Sequence, residues 1–222
     1  MGVAEGEVAK PRVTIRTGEV VGGGLHFGYR EAGAGTVCLC IGGGESFSPM
    51  RELLAERYRV IELQLPDALF PASPATASAI REAVATLGVD RFDLLAHGAG
   101  AGLALSLALE HSTDVRALVL LGPSVIRSDG QAASDADATL ISRLGELKLP
   151  NLLVFGTKDL IAPAEAGRHY RSRIPACNLI FVYDAGHAME IERPEAVAAL
   201  VFDFLERHDQ FLVRRDSDLI YP

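Results

Sequence analysis

The sequence predicts an α/β fold in which a doubly wound, mostly parallel sheet is covered by helices on both faces. From about residue 37 onward, apolar segments of strand length alternate with segments of helical length, an order typical of successive βαβ units. These strand segments are continuously apolar rather than alternating, as in parallel strands that are buried on both faces. Right-handed crossovers then place the helices on the two sides of the sheet.

An antiparallel strand pair is expected ahead of these units. Val13–Arg16 and Leu25–Arg30 alternate between apolar and polar residues, which is typical of strands with one solvated face. Several later strands end where glycine or proline follows, at Gly42, Pro66 and Gly122. The predicted strands are Val13–Arg16, Leu25–Arg30, Val37–Ile41, Arg59–Leu65, Phe92–Ala96, Ala117–Leu121, Asn151–Gly156 and Asn178–Tyr183.

The predicted helices alternate with these strands. Ser46 is expected to cap the first helix, because a serine hydroxyl accepts a hydrogen bond from a free N–H group of the first turn. The last helix is expected to begin at Pro194, since the first turn tolerates proline. The predicted helices are Ser46–Arg57, Thr76–Leu87, Gly100–His111, Ala136–Leu147, Ala164–Ile174 and Pro194–His208.

Length and composition favour a single globular domain over residues 1–222. The chain is 49% hydrophobic and 23% charged, enough apolar material for a sizeable core. We expect this core to span residues 12–208, with residues 209–222 as a C-terminal tail that folds over the domain, pairs with a neighbour or frays. The formal net charge of −8 argues against nucleic acid or an anionic membrane as a partner. No apolar run approaches the ~20 residues that span a bilayer.

The cysteines and histidines predict neither a disulfide framework nor a metal site. Cys38 and Cys40 lie on one face of a predicted strand and are expected to be buried, whereas Cys177 is isolated. Reduced structural thiols of this kind indicate a cytoplasmic protein. The six histidines are scattered without zinc-ligand spacing. Neither glycine cluster matches a dinucleotide or P-loop motif, so no cofactor is expected.

The segment from Leu94 to Gly102 is the most informative part of the chain. An apolar strand passes through a turn of small residues into an apolar helix, which is the frame of a nucleophile elbow, G-x-S-x-G. Gly98 occupies the nucleophile position, so no hydroxyl is available there to form an acyl-enzyme. Such a strained turn needs small neighbours two residues to either side, and Ala96, Gly100 and Gly102 meet that requirement.

Four segments at the ends of predicted strands resemble the α/β-hydrolase family, and the resemblance covers roughly residues 12–208. The segments are Ile41-Gly-Gly-Gly-Glu-Ser46, Ala96-His-Gly-Ala-Gly-Ala101, Phe155-Gly-Thr-Lys-Asp159 and Asp184-Ala-Gly-His-Ala-Met-Glu-Ile-Glu-Arg-Pro194. The resemblance implies that Asp159 is the catalytic acid and His187 the catalytic base. It also implies an oxyanion hole formed by the backbone N–H groups of Gly43 and Ala99.

Two further departures from the family pattern affect the expected chemistry. The family usually carries His-Gly before the oxyanion loop, whereas this chain has Ile41-Gly42, so the loop is expected to be less rigid. Many members insert a helical lid after the sixth strand, but the stretch from Leu121 to Asn151 has room for one helix at most. We therefore expect no large cap domain, and a pocket that is shallow or covered by another part of the chain.

Other residues are weaker candidates for a nucleophile. Ser46 and Ser124 are better explained as a helix cap and a turn residue. His97 precedes the elbow and is expected to make a hydrogen bond in the core rather than to touch a substrate. Without a serine, a dyad of Asp159 and His187 is expected to activate water or a substrate proton, because a carboxylate-oriented imidazole is a general base.

Three functional hypotheses follow from the sequence. The first is a hydrolase-like enzyme that lacks the serine and acts on a small carbonyl compound. The second is a catalytically inactive protein in which the acid and the base have no role and the fold binds a small apolar ligand or a protein partner. The third is a serine hydrolase that has been inactivated at Gly98. A homo-oligomer is compatible with each of them.

Overall fold

A mostly parallel β-sheet runs through the computed structural model, which describes residues 13–42, 44, 46–65, 72–175, 177–208 and 219–220. Within these residues the sheet has nine strands in the order β1-β2-β4-β3-β5-β6-β7-β8-β9. They are β1 (Arg16–Gly22), β2 (Leu25–Ala32), β3 (Val37–Ile41), β4 (Arg59–Gln64), β5 (Phe92–His97), β6 (Val115–Leu121), β7 (Asn151–Gly156), β8 (Cys177–Val182) and β9 (Leu219–Ile220). β2 pairs antiparallel with β1 and β4, and every other pair is parallel. The predicted fold class is confirmed.

The first strand lies later in the chain than predicted. Strand β1 covers Arg16–Gly22 rather than Val13–Arg16, and it pairs with β2 through Val20 opposite Phe27. The reason is the two-residue turn that joins the strands. Gly23 and Gly24 have φ values of 56° and 75°, the backbone that a tight hairpin requires at both positions.

Seven helices accompany the sheet in the described part of the chain. They are α1 (Pro49–Leu54), α2 (Pro74–Thr86), α3 (Gly100–Glu110), α4 (Asp135–Arg143), α5 (Ala164–Arg171), α6 (Met189–Glu192) and α7 (Pro194–Arg207), and a short 3-10 helix, Leu144–Glu146, follows α4. The predicted cap of the first helix is wrong. Ser48, not Ser46, accepts the hydrogen bond from the N–H of Arg51, because Pro49 fixes the first helical position. The single-turn helix α6 was not predicted.

The central strands of the sheet, β3 to β7, are buried on both faces. Helices α2, α3 and α5 cover one face, and α1 and α7 cover the other. Side chains along β5 therefore alternate between two cores, with Leu94 packed among the first set and Leu95 among the second. Cys38 and Cys40 point to the α1/α7 side and are buried as free thiols, as predicted. Burial on both faces explains why the strand sequences are continuously apolar.

The direction in which successive strands are added to the sheet reverses between β3 and β5, which are parallel neighbours. After β3 the chain enters α1 on one face, and after β5 it enters α3 on the other. Such a switch point leaves a crevice at the carboxyl ends of the two strands. The turns at Gly42 and Gly98 lie at this edge.

The C-terminal tail contributes to the sheet. Leu219–Ile220 form β9, parallel to β8 and in register with Phe181 and Val182. The rest of the predicted tail lies outside the described residues. Among the helices that are described, none is long and apolar enough to cross a membrane.

Candidate active site

The turn at Gly98 joins β5 directly to α3. Its φ is 56°, a left-handed backbone that glycine adopts without a Cβ clash. The N–H of Gly98 donates to the carbonyl of Leu121 over 3.0 Å, and the Gly98 carbonyl accepts from the N–H of Ala101 over 3.2 Å. Backbone hydrogen bonds to β6 and to α3 therefore hold this turn on both sides.

Close backbone contacts require glycine at two positions beside this turn. A Cβ on Gly100 would lie 2.6 Å from the carbonyl oxygen of Ile41, and one on Gly42 would lie 2.6 Å from the carbonyl oxygen of His97. At Gly102, by contrast, the nearest atom to an added Cβ is 3.4 Å away, an ordinary contact. The predicted need for a small residue thus applies to Gly100 and not to Gly102.

Asp159 and His187 form the hydrogen bond that the sequence predicts. The Nδ1–H of His187 donates to Oδ2 of Asp159 over 2.8 Å. Asp159 is buried, and its other oxygen, Oδ1, accepts the N–H groups of Ile161 and Ala162, each over 2.8 Å. The carboxylate is therefore fixed by the backbone of its own loop. It binds Nδ1 of the His187 imidazole, so Nε2 points away from Asp159.

Nε2 of His187 faces Gly98. A Cβ added at Gly98 would lie 3.0 Å from Nε2 and 3.5 Å from Cε1 of His187. Apart from the two chain neighbours, no other described residue has a heavy atom within 4 Å of that point. The space into which a side chain at position 98 would extend is thus bordered by the proton-accepting nitrogen of the imidazole.

Gly122 borders the same pair from the opposite side. It follows β6 with a φ of 50°, and an added Cβ would lie 3.0 Å from Oδ2 of Asp159 and 3.3 Å from Nδ1 of His187. In the sequence this glycine marks only the end of a strand. Its contact with the dyad depends on the sheet order, which brings β6 beside β7 and β5.

The loops that carry the acid and the base are joined to each other. The N–H of Lys158 donates to the carbonyl of Ala185 over 2.9 Å, and the hydroxyl of Thr157 accepts the N–H of Asp184 over 2.9 Å. The side chain of Lys158 pairs with Asp184, and this hydrogen bond lowers the pKa of that carboxyl. Arg193 pairs with Asp184 from the other side at 2.9 Å.

A buried group of charged residues lies beneath the crevice, and sequence analysis missed it. Arg51 is 1% exposed, and its Nη1 lies 2.6 Å from Oε2 of Glu62, while its Nη2 donates to Oε1 of Glu190 over 3.0 Å. The hydroxyl of Ser48 donates to Oε2 of Glu190 over 2.6 Å. We call Ser48, Arg51, Glu62 and Glu190 the Arg51 cluster. In this cluster Nη1 and Nε of Arg51 lie within ion-pair distance of carboxylate oxygens, but neither nitrogen is aligned for a hydrogen bond.

Within the Arg51 cluster, opposite charges stabilise the charged forms of Arg51 and Glu190 against the effect of burial. Burial alone would lower the pKa of Arg51, but Glu190 and Glu62 are among the groups that raise it above its ordinary range. Burial alone would raise the pKa of Glu190, but Arg51 and His97 hold it below its ordinary value. Arg51 also donates to the carbonyl of Gly42 over 2.7 Å, so a side chain of α1 holds the turn that follows β3.

His97 connects the Arg51 cluster to the dyad. Its Nε2 lies 2.8 Å from the carbonyl oxygen of His187, and its Nδ1 lies 3.5 Å from Oε1 of Glu190. The two imidazole rings are 4.8 Å apart between centroids and inclined at 35°. Burial lowers the pKa of His97 below its ordinary value, although Glu190 opposes this change. The hydrogen bond expected for His97 therefore exists, and its partner is the backbone of the candidate base.

The remaining predicted residues are placed as follows. Gly43, the expected oxyanion donor of the β3 loop, lies outside the described residues. Ala99 is exposed at the start of α3, next to Gly98. The N–H of Ser124 donates to the carbonyl of Gly98 over 3.4 Å, so its backbone borders the turn. The described residues contain no group of three or more histidines, cysteines or carboxylates that could bind a metal ion.

Solved structures share this arrangement of strands and helices. The chain superposes on MGS-MChE2, an alpha/beta hydrolase enzyme from a lagoon-sediment metagenome, with a TM-score of 0.67 and 23% identity, over 82% of this chain and 95% of that one. This is the α/β-hydrolase fold. Naproxen esterase from Bacillus subtilis has a TM-score of 0.72 with 15% identity, over 87% and 92% of the two chains. These likenesses show the fold.

Parts of the sequence are similar to curated hydrolases. The chain is 38% identical over 84 residues to pimeloyl-[acyl-carrier protein] methyl ester esterase of Neisseria meningitidis, a match covering 38% of this chain and 26% of that protein. It is 37% identical over 65 residues to 2-hydroxy-6-oxononadienedioate/2-hydroxy-6-oxononatrienedioate hydrolase 2 of Pseudomonas putida, covering 29% and 23%. The matched region thus spans about a quarter of these relatives. No protein-family model matches the chain.

Proposed function

We propose that this chain is a hydrolase-like enzyme that lacks the nucleophilic serine and uses its Asp159–His187 dyad to activate water or a substrate proton on a small carbonyl compound. One observation carries the proposal. Nε2 of His187 lies 3.0 Å from the point where a Cβ at position 98 would stand, and the surroundings of that point are otherwise open among the described residues. The base therefore faces the place where a nucleophile would react.

The proposed reaction with water needs no covalent intermediate. Asp159 holds Nδ1–H, so the lone pair of Nε2 accepts a proton from a water molecule. The resulting hydroxide adds to the carbonyl carbon, and the N–H groups of Ala99 and Gly43 stabilise the developing oxyanion. When the tetrahedral intermediate collapses, the leaving group departs and takes the proton from Nε2.

The relatives support carbonyl compounds as the substrate class. One is named as a methyl ester esterase and the other as a hydrolase of an oxo-dienedioate. We propose a small-molecule substrate of this class, no cofactor, a cytoplasmic location and a single domain. Nucleic acid and membranes are not proposed as partners, in view of the net charge of −8.

Kinetics of the His187→Ala variant test the proposal. A panel of small esters, lactones and epoxides is assayed with the wild type, and we expect the variant to lose about 10²-fold to 10⁴-fold in kcat because it lacks the general base. His169→Ala is the matched control, since His169 is a histidine of α5 that contacts a backbone carbonyl, that of Ser128, outside the dyad. Equal turnover by wild type and His187→Ala, or no turnover of any compound by the wild type, contradicts the proposal.

The Gly98→Ser variant separates recent inactivation from a serine-free mechanism. The new Cβ would lie 3.0 Å from Nε2, so the imidazole must move by a few tenths of an ångström. If the chain is a serine hydrolase inactivated at this position, the variant gains strong esterase activity through an acyl-enzyme on the new hydroxyl. A folded variant that gains no esterase activity argues against that history.

A catalytically inactive binding protein is the second candidate function. Four large hydrophobic side chains within four positions of Asp159 or His187 in the sequence are exposed in the described structure: Leu160 (93%), Ile161 (68%), Ile191 (62%) and Tyr183 (48%). Leu160 and Ile161 directly follow Asp159, and exposed apolar surface of sufficient size marks interaction sites. This candidate predicts that an apolar ligand binds equally well to the wild type and to His187→Ala, with no turnover by either.

A further inference from the structure

We propose that His97 is a positioning residue for His187 and that the Arg51 cluster anchors the same loop at Glu190. This inference rests on the proposed function, in which His187 is the base. His97 itself touches neither the Asp159 carboxylate nor, in the proposed mechanism, the reacting atoms. It acts on the backbone from which the base extends.

The direction of the hydrogen bond between the two histidines is fixed by chemistry. A backbone carbonyl oxygen only accepts, so Nε2 of His97 carries the proton that it donates to the His187 carbonyl over 2.8 Å. Asp159 fixes the far end of the base by holding Nδ1 of the imidazole ring. His97 fixes the near end, at the main chain. These two restraints on His187 leave the direction of its Nε2 atom little freedom.

The loop that carries His187 is also held through the buried carboxylate of Glu190, which lies three residues after His187 in the chain. Both of its oxygens are held, one by Arg51 and the other by Ser48 and Arg51. Oε1 of Glu190 lies 3.5 Å from Nδ1 of His97, but that nitrogen carries no proton when Nε2 is the donor, so Glu190 does not orient the ring. The Arg51 cluster therefore anchors the histidine loop at Glu190, and His97 anchors it at the His187 carbonyl.

The same cluster sets the distance between the two sides of the crevice. Arg51 donates to the Gly42 carbonyl over 2.7 Å and pairs with Glu190 at 2.9–3.0 Å. One buried guanidinium thus connects the turn after β3 with the loop that carries the base. A shift of about 1 Å between a base and its target can reduce a rate about 100-fold, so a rigid connection of this kind has a functional consequence.

Substitutions at His97 test the inference. His97→Gln places an amide N–H where Nε2 stands, whereas His97→Leu removes the donor. His97→Asn is a second donor-deficient variant, because its amide reaches the Nδ1 position and falls short of Nε2. His169→Leu is the matched control, since His169 contacts the Ser128 carbonyl through its own Nε2, outside the dyad.

Two readouts are measured on each folded variant. The first is the proton NMR signal of the His187 Nδ1–H, which persists only while its hydrogen bond to Asp159 excludes exchange with water. The second is the split between kcat and KM on the substrate identified for the wild type. We expect His97→Leu and His97→Asn to broaden or lose the signal and to lower kcat by up to about 100-fold, with KM little changed. We expect His97→Gln and His169→Leu to retain both the NMR signal and the kcat of the wild type.

The two readouts separate failure of the inference from failure of the proposed function. If the wild type turns over no substrate, the NMR signal still decides whether His97 positions His187. An unchanged signal in both His97→Leu and His97→Asn overturns the inference, whatever the kinetics. It is also overturned if His97→Gln, although folded, loses as much signal and activity as His97→Leu.

Discussion

At the scale of single residues, two glycines enclose the imidazole of His187. Gly98 lies on its Nε2 side and Gly122 on its Nδ1 side, with φ values of 56° and 50°. A Cβ at either position would lie within 3.3 Å of a ring nitrogen. The imidazole of His187 is thus fitted between two backbone turns, and each turn would press on the ring if it carried a side chain.

We predict that Gly122→Ala disrupts the dyad. Its Cβ would lie 3.0 Å from Oδ2 of Asp159, so the acid or the base must move, and turnover falls at least about tenfold. Gly88→Ala is the matched control, because Gly88 also has a positive φ (72°), but apart from its chain neighbours no described residue has an atom within 4 Å of an added Cβ. In both variants, backbone strain lowers the free energy of unfolding, measured in urea, by about 1–2 kcal/mol. Loss of activity confined to Gly122→Ala confirms the prediction, and equal activities refute it.

The protonation of His97 predicts a pH dependence of stability. Burial lowers the pKa of His97 in the folded state below its ordinary value of 6.5, with Glu190 raising it and His187 and Arg51 lowering it. Below about pH 6.5 the unfolded chain therefore binds a proton that the folded chain does not. The free energy of unfolding falls as the pH drops from 6.5 toward the folded-state pKa, by at most about 1.4 kcal/mol per pH unit.

The His97→Gln variant isolates this contribution. Its side chain does not titrate, so the difference in unfolding free energy between wild type and variant should shift in favour of the variant as the pH falls below 6.5. Chemical denaturation at several pH values measures that difference. Above pH 7.5 the difference should be constant, and a difference that is constant throughout the acidic range contradicts the prediction.

At the scale of elements, the contact between α3 and β3 places the Gly98 turn beside the Gly42 turn. The first turn of α3 lies so close to β3 that an added Cβ on Gly100 would lie 2.6 Å from the Ile41 carbonyl oxygen. Two residues further along the same helix, Gly102 faces Ala72 at an ordinary contact distance. The two glycines therefore have different roles although both belong to the small-residue pattern of the elbow.

A pair of alanine variants in α3 tests this difference. Gly100→Ala forces the helix away from the sheet and lowers the free energy of unfolding by more than about 2 kcal/mol. Gly102→Ala has room for its methyl group and is expected to raise it by up to about 1 kcal/mol, because alanine favours helix over glycine. Urea unfolding of both variants provides the measurement. Similar stability of the two variants would show that the contact with β3 does not constrain α3.

At the scale of the whole molecule, buried charge joins elements that are far apart in the sequence. Glu62 on β4 pairs with Arg30 on β2 at 2.6 Å and with Arg51 on α1, and Arg51 pairs with Glu190 on α6. His97 extends the connection to the end of β5. A well-packed apolar cluster could give similar stability, so the charges are better explained by the orientation they impose on the surrounding loops.

We predict that Arg51→Met destabilises the protein far more than a surface arginine variant. It would leave the carboxylates of Glu62 and Glu190 buried with a lost partner, at a cost of about 3–5 kcal/mol. Arg207→Met is the control, because the ion pair of Arg207 with Asp203 is 61% and 44% exposed and contributes at most about 1 kcal/mol. Guanidinium unfolding gives both values. If Arg51→Met lowers the free energy of unfolding no more than Arg207→Met does, the role assigned to the Arg51 cluster is contradicted.

Local patterns along the chain predict the fold class, most of the elements, and Asp159 and His187 as a candidate pair. Periodicity along one chain is a local property, so the strands Val37–Ile41 and Asn151–Gly156 were predicted with their observed bounds. Asp159 and His187 each follow a strand at the same edge of the sheet, and the family resemblance supplied their roles. Local turn chemistry explains the errors, since the Gly23-Gly24 hairpin and Pro49 moved the first strand and the first helix cap.

The surroundings of this pair follow from tertiary packing. Arg51, Glu62 and His97 come from different elements, and no spacing in the sequence relates them to one another or to His187. The contact of Gly122 with the acid–base pair likewise depends on the order of β5, β6 and β7 in the sheet. Local patterns place residues on elements, whereas packing decides which elements meet. The direction of Nε2 toward Gly98 belongs to packing, and the proposed chemistry depends on it.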